Sequence, residues 1–212
     1  MSNQNESNAI DLKNGCLPLM EHFYTIQGEG YNTGKPAYFL RLGGCDVGCV
    51  WCDVKESWDA SVHPQIDLNE MLNFVQKNNA ENVVITGGEP LLYDLTDLTQ
   101  LLKKNSIKTW IETSGAYALT GQWDWVCLSP KKFKKPVNDI YRYTNELKII
   151  VYHKSDFDWA LEHAAKVNEA CKLYLQPEWS KEKEMIPLII DFVKVNPRWT
   201  ISLQTHKYLG IP

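Results

Sequence analysis

Residues 43–53 read GGCDVGCVWCD and place Cys45, Cys49 and Cys52 within eight positions of one another. Thiolate sulfur is a soft ligand that selects zinc, copper(I) or iron–sulfur clusters, and each ligand must lose its proton to bind. Structural zinc takes four protein ligands, but no Cys or His lies between Asp53 and His63, and a second CxxC pair is missing. An iron–sulfur cube with one iron left open fits three thiolates better. Zinc with a distant fourth ligand, and three thiols packed in an ordinary core, remain the alternatives at this point.

The composition narrows the setting. A chain of 212 residues, 44% hydrophobic and 23% charged, buries a full core as one domain. A formal net charge of −4 gives no general attraction to phosphate backbones, so neither nucleic acid nor an acidic membrane is expected as a partner. No apolar run reaches the roughly 18 residues that span a bilayer, and the opening MSNQNESNAIDLKNG is polar, which suggests a cytoplasmic protein. In that reducing compartment Cys16, Cys127 and Cys171 are read as packed thiols, with a disulfide as the alternative.

Outward from the cysteines, residues 1–16 lack hydrophobic periodicity and are expected as a flexible tail, with one domain over 17–212. Apolar, β-branched runs at 37–42, 83–86, 108–112, 125–128, 147–152, 173–176 and 200–204 predict seven strands. Helical periodicity fills LNEMLNFVQKN after Asp67, LTDLTQLLKKN, DFDWALEHAAKVNEA and KEKEMIPLIIDFVKVN. Connections 115–124 and 131–145 carry Gly, Pro and Lys without an amphipathic pattern and are expected as loops. The alternation predicts an α/β fold with a parallel sheet and an incomplete helical layer.

Polar turns follow the strands: GGC, TGGEP (86–90), ETSG (112–115), SPKK (129–132), QPEW (176–179) and QTHK (204–207). In a parallel α/β barrel the strands' C-terminal ends share one face, so these turns are expected to converge on one mouth. Any one of them alone reads equally well as a turn ending a strand. Gly87 and Gly88 let backbone approach a ligand closely, although TGGEP by itself also reads as a tight turn before a helix. The lysines at 131, 132, 134 and 135 read as a solvated loop, although Lys131 belongs to SPK. His206, beside Gln204 near the expected mouth, could hydrogen-bond a ligand, but an isolated His is more often satisfied within the fold.

CxxxCxxC, with Trp51 before its last cysteine and TGGEP after the next strand, resembles the radical S-adenosylmethionine (SAM) superfamily. The resemblance implies a partial, modified TIM-type (β/α) barrel in which Cys45, Cys49 and Cys52 hold a 4Fe-4S cluster whose fourth iron chelates SAM. QGEG (27–30), Arg41, CxWCD, ETSG, SPK, QPE and a terminal QTHKYLGIP then follow the order of the 7-carboxy-7-deazaguanine synthase family, from Leu19 onward. Membership would imply a carbon–nitrogen lyase of queuosine precursor synthesis that turns 6-carboxy-5,6,7,8-tetrahydropterin into 7-carboxy-7-deazaguanine with loss of ammonia. It would also imply that Ile26, Gln27, Gly28, Arg41, Thr86 and Pro212 bind substrate, Arg41 through the substrate carboxylate. SAM would be lined by Trp51, Cys52, Asp53 and Gly88, by Ser129, Pro130 and Lys131, and by Gln176, Pro177, Glu178 and Trp179. A homodimer and a reductant such as flavodoxin or ferredoxin are further implications.

One position departs from the family. Where many relatives carry a Thr or Ser whose hydroxyl helps hold magnesium, this chain has Val54, followed by Lys55, whose ammonium offers a substitute charge. Whether Mg2+ is a cofactor is therefore left open. Two rival readings also stand: an activating enzyme that makes a glycyl radical on a protein partner, and a zinc or iron–sulfur binding module without turnover.

Overall fold

The computed structural model describes residues 15–212. The tail expected at 1–16 falls outside these residues up to position 14, whereas Cys16 already opens a strand paired with Asp67. Nine strands form one sheet: β1 (Cys16–Ile26), β2 (Pro36–Leu42), β3 (Gln65–Asp67), β4 (Asn82–Gly87), β5 (Lys108–Thr113), β6 (Trp125–Leu128), β7 (Glu146–Val151), β8 (Lys172–Pro177) and β9 (Trp199–Ile201). Their order is β3-β1-β2-β4-β5-β6-β7-β8-β9. All seven expected strands form and run parallel. The two added strands, β1 and β3, are antiparallel to their neighbours. Residues 202–204, expected to prolong the last strand, lie beyond β9.

Helices α1 (Leu68–Lys77), α2 (Thr96–Lys104), α3 (Asp156–Ala164) and α4 (Glu182–Val195) cover the convex face, and a short α5 (Thr205–Leu209) ends the chain. Helix α1 forms for legible reasons. Asp67 caps it by accepting from the Asn69 amide at 2.8 Å, and Leu68, Met71, Leu72 and Val75 bury one stripe at helical spacing. Helix α3 stops at Ala164, well short of the expected span. Residues 115–124 contain no helix, and 131–145 contribute only a 3-10 turn, Asn138–Tyr143.

Strand alternation divides the interior. In β7, Leu147, Ile149 and Val151 turn outward into the apolar layer beneath the helices, while Glu146, Lys148 and Ile150 turn inward. Low on the concave side, Ala37, Phe39, Val84 and Trp110 form a second apolar cluster. The sheet is an open barrel, and residues 27–35 bridge its gap. Gly28 O accepts from both Thr205 N and Oγ1 at 2.9 Å, and Gly30 N donates to Ser202 Oγ at 2.9 Å.

Candidate active site

The strands' C-terminal ends open on a cavity of about 260 Å³. At its rim, Cys45, Cys49 and Cys52 follow β2. Their loop is pinned by backbone bonds, Gly44 N to Ser57 O at 2.6 Å and Cys45 N to Trp58 O at 3.1 Å. Asp46 adds a side-chain tie, accepting from Tyr117 Oη at 2.5 Å and Lys134 Nζ at 2.7 Å. Burial pushes the Cys49 thiol up to about 11 despite the nearby Lys131 ammonium, and raises Cys45 as well.

TGGEP crosses directly behind this loop. A Cβ on Gly87, whose φ is +150°, would lie 2.2 Å from Leu42 O, and one on Gly88 would lie 2.3 Å from Gly44 O. The glycines are thus demanded by the protein's own chain crossing, whereas sequence reasoning attributed them to ligand approach. Gly88 N and Glu89 N donate to Leu42 O and Gly44 O at 3.0 and 2.9 Å, so what the turn can offer a ligand there is carbonyl oxygen. Glu89, 1% exposed, locks TGGEP to ETSG: it accepts from Thr113 Oγ1 at 2.6 Å, from Ser114 N at 2.9 Å and from Ser114 Oγ.

The inner wall carries a charged network that sequence reasoning missed. Lys148, its side chain 3% exposed, pairs with Glu29 and with Glu112 at 3.2 Å. Gln27 donates to Glu112 at 2.8 Å, and Gln204 donates to Glu29 at 2.9 Å. Burial alone would raise the Glu29 carboxyl, but Lys148 and the donors around it hold it at about 2. Burial likewise works against the Lys148 ammonium, and Glu112 and Glu29 overturn that and hold it protonated well above its usual range. The alternating Glu and Lys of ELKIIV, in a strand otherwise apolar, were the available sign.

QGEG acquires its meaning here. A Cβ on Gly28 would meet His206 Nδ1 at 2.4 Å, and one on Gly30 would meet Glu146 Oε1 at 1.8 Å. Both glycines make room for residues far along the chain. His206, for which the sequence allowed either a ligand contact or a structural place, lines the cavity.

Every residue expected to hold the cluster, SAM or substrate lines this cavity except Pro130, which is buried behind Ser129 and Lys131. Lys131 donates to Ser129 Oγ at 2.6 Å and sits 5.4 Å from the Trp51 ring. Across the rim, Lys207 lies 4.9 Å over Trp179 and 3.4 Å from Asp53, drawing α5 over the mouth so that Pro212 reaches the cavity. Val54 is in the lining, but Lys55 is not; its ammonium lies over the Trp58 ring at 6.0 Å. A substitute charge from Lys55 therefore has no geometric support.

The donor chemistry fits an iron–sulfur cube with SAM better than one metal ion. Three thiols share the rim of a cavity large enough for small molecules, and three thiolates fall one short of the four protein ligands that structural zinc takes. No helix among those residues is long and apolar enough to cross a membrane.

Comparison with known proteins agrees with this chemistry. Residues 40–170 match the Radical SAM superfamily. A 7-carboxy-7-deazaguanine synthase of Flavobacterium psychrophilum is 59% identical over 94% of this chain and 95% of its own length. Its counterpart in Synechocystis is 47% identical over 92% and 93%. The crystal structure of QueE from Escherichia coli superposes with a TM-score of 0.79 at 32% identity, covering 89% of this chain and 93% of that one. The chain belongs to the 7-carboxy-7-deazaguanine synthase family of the radical SAM superfamily.

Proposed function

We propose that this protein converts 6-carboxy-5,6,7,8-tetrahydropterin to 7-carboxy-7-deazaguanine with loss of ammonia. The observation that carries the reading is one cavity with three thiols at its rim, Arg41 on its wall and a charged, hydrogen-bonded inner surface suited to a polar heterocycle. A 4Fe-4S cluster held by Cys45, Cys49 and Cys52, together with SAM, supplies radical hydrogen abstraction when bound. Arg41 anchors the substrate carboxylate, and Ile26, Gln27, Gly28 and Thr86 hold the pterin, with Pro212 above it. The carbonyl oxygens of TGGEP suit an ammonium donor such as the amino group of SAM. Trp51, Asp53, the 129–131 turn and the 176–179 turn complete its surround, Pro130 acting by shaping that turn. Enclosure by α5 excludes water and fixes geometry, which is the protein's main contribution to such chemistry.

Anaerobic incubation with SAM, a reductant and the carboxypterin is expected to release 7-carboxy-7-deazaguanine and ammonia in equal amounts. SAM cleavage without pterin conversion would return the reading to the glycyl-radical activating enzymes, and zinc without iron would return it to a binding module. A cavity of about 260 Å³, with Pro212 in its lining, favours the small substrate. Val50 and Phe133, exposed beside the cysteine loop, support approach of a one-electron donor such as flavodoxin or ferredoxin from that side. A homodimer and a cytoplasmic location rest on the family resemblance and composition.

Magnesium fits this site poorly. The Val54 side chain has no ligating atom, its carbonyl oxygen already accepts from the Ser57 hydroxyl at 2.7 Å, and Asp53 faces Lys207. Chelator-treated enzyme is therefore expected to regain little or no activity on magnesium titration, and Val54→Thr to become more dependent on it. A strong requirement in the natural sequence would mean that water or another side chain completes the site.

A further inference from the structure

We infer that Glu21 is a positioning residue that presents Arg41 to the substrate carboxylate, an inference that rests on Arg41 being the carboxylate anchor. Glu21 stands opposite Arg41 across the β1–β2 pair, with Oε1 2.5 Å from Nε. It faces the cavity side because of an irregularity in β1. The register runs Leu19↔Leu42 and then Glu21↔Arg41, so Met20 is an extra residue, a β-bulge. Before the bulge Leu17 and Leu19 are buried in the helix-covered layer; after it Phe23 stacks on Phe39 at 5.3 Å on the concave side. In an unbroken strand Leu19, Glu21 and Phe23 would share one face. The inserted residue lets two leucines enter the core and still turns the carboxylate toward Arg41.

The contact uses only Nε. Among the described residues neither Nη of Arg41 has a protein partner, so the Nη edge is left for a planar carboxylate, the geometry a guanidinium binds most strongly. Stability does not account for the pair, because its side chains are 21% and 44% exposed and such pairs contribute little. Glu21 also repels an incoming carboxylate, but water at this half-exposed rim screens the repulsion, whereas the restraint on the guanidinium plane is not screened. Orientation is the larger effect.

The test measures the dissociation constant of the carboxypterin in cluster-loaded protein with SAM and no reductant, then KM and kcat under turnover. Glu21→Ala is expected to raise Kd and KM about tenfold, the scale of one charge-assisted hydrogen bond. Glu21→Gln, whose amide oxygen still accepts from Nε, should recover most of the loss. A tetrahydropterin without the carboxylate should bind wild type and Glu21→Ala alike, and Glu21→Ala should add nothing in an Arg41→Ala background. Iron content and melting temperature report folding. If Arg41→Ala weakens binding while Glu21→Ala leaves it unchanged or tightens it, the positioning role is wrong and the anchor stands. If Arg41→Ala itself leaves Kd unchanged, the anchor assignment fails, and the role of Glu21 with it.

Discussion

Cys49→Ala, reconstituted with iron and sulfide under anaerobic conditions, is expected to lack the brown 4Fe-4S absorption and to produce no 5′-deoxyadenosine from SAM. Cys45→Ala and Cys52→Ala should behave the same way. All three thiols belong to one rim, and an iron–sulfur cube that loses one of its three thiolates is left underligated. Substitution of Cys16, Cys127 or Cys171 should leave the cluster intact, since none of them lines the cavity and Cys127 and Cys171 are buried thiols raised by desolvation. A Cys49→Ala protein that still cleaved SAM would remove the cysteine loop from the reaction.

Lys148→Met is the second substitution with a large expected effect. The methionine fills much of the same volume but leaves Glu29 and Glu112 without the cation between them, and breaking a buried pair from one side costs about 3–5 kcal/mol. For a chain of this size that corresponds to a melting temperature lower by roughly 6–20 °C. The pH dependence carries the sign of the interaction. Glu29 titrates at about 2 in the fold against an ordinary value of 4.5, so its contribution is complete above pH 4.5 and disappears as pH falls through about 2. The gap between wild type and Lys148→Met should therefore be widest above pH 4.5 and close toward pH 2. A variant that melts with wild type at neutral pH would show that water already compensates the two carboxylates.

Legibility differed sharply between the two faces of the same strands. The convex side is apolar, and runs such as VVIT and KIIV announced both strands and core. Beyond the apolar cluster of Ala37, Phe39, Val84 and Trp110 the concave side is polar, so Glu112 and Lys148 entered the sequence reading only as members of predicted strands or of a turn, and Glu29 only as part of a turn. Glu146 fell between the expected loop at 131–145 and the expected strand at 147–152. Cysteine spacing and the order of short motifs identified the cofactor class, because those ligands lie on one short loop. Antiparallel β1 escaped notice because its bulge breaks the alternation that marks a strand.

What the sequence determined by itself was local: seven parallel strands, the stripe of α1 capped by Asp67, and a three-thiolate loop. Each depends on residues a few positions apart, whose spacing is fixed by backbone geometry. Only the tertiary structure decided why QGEG and TGGEP need glycine, which face Glu21 occupies, and that Lys148 joins Glu29 to Glu112. Those features arise from chain segments far apart in sequence and packed to contact: Gly28 under His206, Gly30 against Glu146, Gly87 across Leu42. Close packing and burial, which make such contacts strong, exist only once the sheet has curled, and so they leave no periodic trace in the order of the residues.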